Sequence, residues 1–293
     1  MQQTLDACTA ETVTQMEEAL DEIYRPHGAG YRHDYAPQLD ADSSGAPCGP
    51  KAACATKGYF ATQRNRRGRQ SGRVLASHDG EVVVERLYPG TTQLAAALPG
   101  LIAAAARTLD GDGDPAKRAR TIGRIDGGGG SVEDINGLRE RGYAVHAKDY
   151  SPARAHTLAR GVTDWVDDPH VPGRQGGWVT QETTAYVRPV RRIAVRVRQA
   201  TGQWGVGALI STLSPADVIT LTRQPIDRVD DPTAVLLAYV SFYDQRGGGV
   251  ETSFKDDKQG LGLTKRTKKR VAAQQMALAL GTRAHNVLVW ARA

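Results

Sequence analysis

Over the first 26 residues apolar positions recur at helical spacing, with Leu5, Val13, Met16, Leu20 and Ile23 set among Glu17, Glu18, Asp21 and Glu22. This predicts an amphipathic helix with one face to dock. From residue 25 to 36 the pattern breaks at Pro26, Gly28 and Gly30, and the stretch reads as a linker. Leu39 and Ala41 then alternate with Asp40 and Asp42, a short strand over residues 37–42 that runs into Ser-Ser-Gly-Ala-Pro-Cys-Gly-Pro. Residues 58–62, 73–77 and 81–87 read as three more strands of a meander, with the arginine-rich segment 63–70 as a turn between two of them. An Ala- and Leu-rich helix follows over residues 92–109 and ends in an acidic Asp-Gly turn. Residues 119–126 form a strand that ends in Asp126, followed by four glycines. Ser131 and Asp134 then suit the start of a helix that reaches Arg141, and Gly142 stops it before a strand over 143–148.

Residues 149–231 change character. A helix over 152–165 and a polar loop precede strands at 177–180, 184–189, 193–199 and 204–213, with Thr201 and Gly202 as a hairpin turn. These strands alternate Arg with Val or Ile and read as a β-rich insertion; Trp178 and Trp204 suit either its core or a stacking platform for a displaced base. Asp231 then caps a helix that runs to Tyr243. A three-glycine break separates it from a second helix starting near Val250, and a long apolar helix fills residues 271–292. The expected organisation is an α/β protein: an N-terminal helix and linker (1–36), the first part of a mixed-sheet core (37–148), the insertion (149–231) and the end of the core (232–293).

Charge adds a partner to this picture. Across 293 residues, 38 Lys and Arg face 32 Asp and Glu, a net charge of +6. The excess is gathered in three places: Arg64 to Arg73, Arg188 to Arg198, and Lys265 to Arg270. A solvated face explains any one of them, but three together suit a polyanion such as DNA. Cys8, Cys48 and Cys54 lack the number and spacing of a disulfide framework or a structural zinc site. No apolar run approaches the ~18 residues of a membrane span and no leader opens the chain, so a cytoplasmic, nucleoid-associated protein is expected.

Two predicted strands end in acids, Asp42 and Asp126, and the helix after the glycine break carries Glu251 on a side shared with Phe254, Lys255 and Lys258. A bland reading of Glu251 is ordinary helix-dipole support, and Asp42 with Ser43 also suits a simple turn. Read together, two strand-end aspartates and a helix glutamate can hold two divalent ions for phosphodiester chemistry, and oxygen donors favour Mg²⁺ or Mn²⁺ over zinc.

At these residues the sequence resembles the DDE transposases of bacterial insertion sequences, in the branch with a β-rich insertion between the second Asp and the Glu. That branch carries Tyr-x2-Arg-x3-Glu-x6-Lys; here Tyr243, Arg246, Glu251 and Lys258 match, with four residues instead of three between Arg246 and Glu251. Arg124, Asp126, Gly128, Gly130 and Ser131, with the turn from Arg141 to Tyr143, resemble the motif around the second Asp. A hydroxyl-bearing pair after the first acid favours Asp42, with Asp40 as alternative. The resemblance implies an RNase H-like core that cuts duplex DNA at element ends and joins the 3′-hydroxyl to target DNA. It also implies Asp42, Asp126 and Glu251 as catalytic and metal-binding residues, and a homodimer when two ends are paired. Tyr243, Arg246 and Lys258 would contact DNA phosphates, Lys255 is a further DNA-binding candidate, and Trp204 or Trp178 is a candidate to hold a displaced base. Only about 36 residues precede the first Asp, which predicts a shortened copy. The alternative is a truncated, inactive product that binds DNA or dimerises and so inhibits the full-length enzyme.

Overall fold

A computed structural model of the chain describes residues 2–32, 37–60, 63–247, 249–262 and 268–292. Three helices open it: α1 (Gln2–Asp6), α2 (Ala10–His27) and α3 (Ala29–Arg32). Four strands follow, β1 (Gln38–Pro47), β2 (Thr56–Phe60), β3 (Gln63–Ala76) and β4 (Glu81–Pro89), then α4 (Leu94–Thr108) and α5 (Pro115–Arg120). Next come β5 (Ile122–Ile125), α6 (Val132–Glu140), β6 (Ala144–Lys148) and α7 (Pro152–Arg160). Strands β7 (Val166–Asp167), β8 (Arg174–Trp178), β9 (Arg191–Arg198) and β10 (Trp204–Ser211) precede α8 (Pro215–Leu221), α9 (Pro232–Asp244), α10 (Val250–Gly260) and α11 (Val271–Trp290). The architecture is the mixed α/β one expected from the sequence, strands flanked by helices. The chain divides into two compact units, Met1–Lys117 with Gly249–Ala293, and Arg118–Gly248.

In the first unit β3 is the spine. Antiparallel β1 lines one side of it, from Leu39↔Ala76 to Pro47↔Gly68, while β2 and β4 share the other. Side chains alternate across the strand. A Cβ on Gly72 would meet Leu101, so Gly72 and Val74 face α4, whereas Arg73 and Leu75 face α10. Two expectations are corrected here. Segment 63–70 is strand, not turn, and β1 does not stop at Asp42 but runs on to Pro47. Local propensity marks Ser-Ser-Gly as a turn, yet the long partner strand supplies a ladder for it, and tertiary pairing outweighs propensity. Gly45 lets Phe60 lie against this extension, since a Cβ there would come 2.4 Å from the ring.

The expected linker at 25–36 is helical as far as Arg32; residues 33–36 lie outside the described residues. Its order has a cause: the buried carboxylate of Glu81 accepts hydrogen bonds from the Tyr24 hydroxyl (2.7 Å), the Ala29 and Gly30 N–H groups (2.8 and 3.0 Å) and Trp290 Nε1 (2.7 Å). Four donors on one carboxylate tie α2, α3 and α11 to the start of β4. Burial and Glu81 together raise the pKa of the Tyr24 hydroxyl, which stays protonated and donating.

In the second unit β5 and β6 are parallel, with Arg124 beside His146. Strand β10 pairs antiparallel with β6, and β9, β8 and β7 follow in order. The strands of segment 149–231 thus continue the sheet that β5 and β6 begin. The predicted strand at 184–189 is irregular instead, and Asn136 of α6 holds it by bonds to Ala185 O and Val187 N, both 3.0 Å. The helix predicted over 152–165 ends at Arg160, and the strand predicted from 119 begins at Ile122, after α5. The capping box at Ser131 and Asp134 is present, as is the Asp231 cap on α9, whose side chain accepts from Thr233 and Ala234 N–H groups. Helix α9 is apolar nearly all round, from Ala234 to Phe242, and is correspondingly buried.

Candidate active site

Strand β1 presents Asp40, Asp42 and Ser44 on one face and Leu39 and Ala41 on the other. Register partners share a face, so Leu75, Arg73 and Ser71 lie opposite the first three in turn. These partners show how α10 lies on the strand. Leu75 clusters with Val250 and Phe254, Arg73 Nη1 donates to Ser253 Oγ (2.9 Å), and Lys258 Nζ donates to Ser44 Oγ (2.5 Å) and Gly45 O (3.0 Å). Helix α10 therefore runs in the same direction as β1, with its first turn level with Asp40 and Asp42. Glu251 stands in that turn and is exposed, while Val250, Ser253, Phe254 and Asp257 form the buried face. Asp42 is half-buried and its Oδ1 accepts from Ser43 N at 2.7 Å; Asp40 is fully buried.

The helix is held from beneath by Arg73. Its buried guanidinium reaches Glu85 (2.7 Å) and Asp257 (2.6 Å) and stacks 4.4 Å from the Phe254 ring centroid. The other oxygen of Asp257 meets His285 Nδ1 at 2.8 Å, and His285 Nε2 meets Gly80 O at 2.8 Å. Burial alone would raise the Asp257 pKa, but His285 and Arg73 outweigh it and hold the carboxyl below its ordinary range. For Lys258, burial pulls the ammonium pKa down, opposed by Glu85. Arg73, Glu85, Asp257 and His285 stand apart in sequence, and the motif spacing that singles out Glu251 gives no sign of them. Lys258, counted among the DNA contacts, is half-buried and engaged with β1, whereas Lys255 is exposed on α10.

Asp126 belongs to the second unit, directly after β5. Its Oδ1 caps the 3-10 turn Gly127–Gly129 by accepting from Gly128 N at 2.8 Å. The glycine run has a steric reason at Gly130, where a Cβ would fall 1.8 Å from Lys148 O. Tyr243 and Arg246 follow on α9 and just beyond it. Tyr243 is half-buried, its ring 6.1 Å from His146; Arg246 is 3% exposed and does not offer its guanidinium to solvent. Beneath them Arg124 donates to Phe242 O (3.0 Å) and lies over the Phe242 ring. Burial lowers the His146 pKa to about 3, helped by Arg124, so this imidazole is neutral at physiological pH. Trp204 is half-buried, with Arg196 4.4 Å from its ring centroid and 4.0 Å from that of Trp165. Trp178 packs edge-on to Tyr239 at 5.7 Å, a core contact.

The three expected ligands, Asp42 and Glu251 in the first unit and Asp126 in the second, are all carboxylates, the donor type that hard divalent cations take, and Asp126 spends one oxygen on a backbone N–H. Among the described residues no group of three or more His, Cys, Asp or Glu side chains is gathered to hold a metal ion. Of the basic clusters, Lys265 and Arg266 lie outside the described residues. No helix among those described is long and apolar enough to cross a membrane.

No protein-family model matches the chain, and no curated protein matches it. Among solved structures it is similar to a piggyBac transposase, determined by cryo-electron microscopy as a synaptic complex with hairpin DNA. The match has 14% sequence identity and a TM-score of 0.47, and covers 87% of this chain. The chain spans about half the length of that neighbour, 48%.

Proposed function

We propose that this chain acts in DNA transposition as a DDE transposase of the insertion-sequence type, with Asp42, Asp126 and Glu251 as its catalytic carboxylates. The observation that carries the reading is the placement of α10 on β1, which sets Glu251 level with Asp42. Sequence alone puts these two acids more than 200 residues apart. Bound by such oxygens, two Mg²⁺ or Mn²⁺ ions would lower the pKa of an attacking water or 3′-hydroxyl and neutralise charge on the transferring phosphoryl group. The protein's own share is positioning. Lys258 fixes α10 to β1, Arg73 braces it from below, and exposed Lys255 can meet a phosphate. On this reading the partner is duplex DNA, at element ends and target, bound by a homodimer that pairs two ends, with segment 149–231 as the family's insertion.

The test follows both products of the reaction. Nicking and strand joining of element-end DNA are measured for wild type and for Asp126→Ala. Loss of both in the variant is expected; undiminished nicking would show that Asp126 is not part of the metal site.

A further inference from the structure

Two basic clusters far apart in sequence meet in the first unit, and what joins them is a buried cation. Arg69 is 1% exposed, and its guanidinium donates to three backbone carbonyls: Ala53 O (2.7 Å), Lys268 O (2.9 Å) and Lys269 O (2.8 Å). Ala53 N returns a bond to Lys269 O at 2.8 Å. The loop before β2, the strand β3 and the start of α11 are thereby pinned together. Around this junction stand Lys51, Lys57, Arg67, Lys269 and Arg270, all exposed, and among the described residues none of them is paired with a carboxylate. Both contributing segments lack acids altogether: no Asp or Glu occurs between Asp42 and Asp79, or after Asp257.

Two features of this surface disfavour its empty state. A guanidinium buried among neutral carbonyls sits in a medium that screens it poorly, which projects a positive field outward. Lys57 and Arg67 are direct register partners on the β2–β3 ribbon, and like charges so placed destabilise a ladder. A polyanion relieves both.

We propose that the β2–β3 ribbon, the loop before it and residues 268–270 form a docking surface for the backbone of duplex DNA. It grips phosphates without reading bases, and it needs no metal. The surface adds a second DNA contact to the transposase reading, on which its biological role rests, but its binding is separable from catalysis.

The experiment measures fluorescence anisotropy of a labelled duplex of arbitrary sequence, in EDTA, across a salt series. Each neutralised phosphate contributes about 0.9 to the slope of log K against log salt. The triple variant Lys57→Gln, Arg67→Gln, Lys269→Gln is expected to lower that slope by about 2.7 and to weaken binding by on the order of ten- to a hundredfold at ~0.1 M salt. The charge-keeping pair Lys57→Arg, Lys269→Arg is expected to bind as wild type. Equal slopes for the triple variant and wild type would overturn the proposal. If wild type fails to cut element-end DNA in Mg²⁺ while the slope difference persists, the transposase reading fails and the surface stands. If wild type cuts and the slopes coincide, the surface alone fails.

Discussion

Arg73 is a residue whose loss the first unit would feel strongly. It is fully buried and neutralises two carboxylates, Glu85 and Asp257, that are themselves 2% and 4% exposed. Removing one partner of a buried ionic group leaves uncompensated charge, which costs about 3–5 kcal/mol. Arg73→Met, close in volume but uncharged, is therefore expected to destabilise by that amount in urea unfolding. A change below about 1 kcal/mol would mean that the network contributes little. Glu251 is the opposite case: it is exposed and outside every buried network, so Glu251→Gln is expected to leave stability within about 0.5 kcal/mol of wild type. The contrast shows what a sequence discloses at this scale. The spacing from Tyr243 to Lys258 singles out Glu251, whereas Arg73 reads as one arginine of a basic cluster. Its burial depends on Glu85 and on Asp257, 184 residues away, and no local pattern carries that pairing.

At the scale of elements, helix α11 holds α10 through one histidine. Both His285 ring nitrogens face acceptors, the Asp257 carboxylate and the Gly80 carbonyl, so both bonds form only when the imidazole is protonated. Burial alone would lower the His285 pKa; the two acceptors outweigh it and raise the value above 6.5. A raised folded-state pKa contributes stability that is complete below the unfolded value, about 6.5, and is lost as pH rises through the folded value. Asp257, with its pKa lowered, acts at the other end: its contribution is present above about 3.9 and lost as pH falls below that. Thermal melts are thus expected to show wild type losing its advantage over His285→Gln as pH rises from about 6.5 into the alkaline range. A constant difference in Tm across that range would contradict the clasp.

The elements themselves were largely legible: α2, α4, α6, α9, α10 and α11 follow apolar periodicity and caps, and β4 and β6 follow β-branched and alternating runs. Three of the misreadings share one cause. Segment 63–70 is rich in arginine, and residues 43–47 are rich in turn formers, so each reads locally as a break; residues 43–47 are strand because they pair with 68–72, and residues 63–68 because β2 pairs with them. The helical stretch at 29–32 likewise depends on Glu81, about 50 residues further on. Local propensity cannot report a partner that distant.

For the whole molecule, the proposed function is that of a DNA-processing enzyme, and the charge suits such a partner. The net charge of +6 is unevenly spread, with acid-free segments from 43 to 78 and from 258 to the end, and such patches steer a polyanion and hold it in a salt-dependent way. Binding of this kind is common to many proteins, whereas metal-dependent cutting by three carboxylates is specific to the claim. The decisive measurement is cleavage of a labelled duplex carrying the element's terminal repeats, in Mg²⁺ or Mn²⁺, by wild type and by Glu251→Gln. If Glu251 holds a metal ion as proposed, its loss is expected to slow cleavage by on the order of a thousandfold, equivalent to about 4 kcal/mol of transition-state stabilisation. Metal-dependent cuts at the repeat boundary that vanish in Glu251→Gln are the predicted result. Cleavage equal in both proteins, or tight binding by wild type with no cut in either metal, would contradict the account.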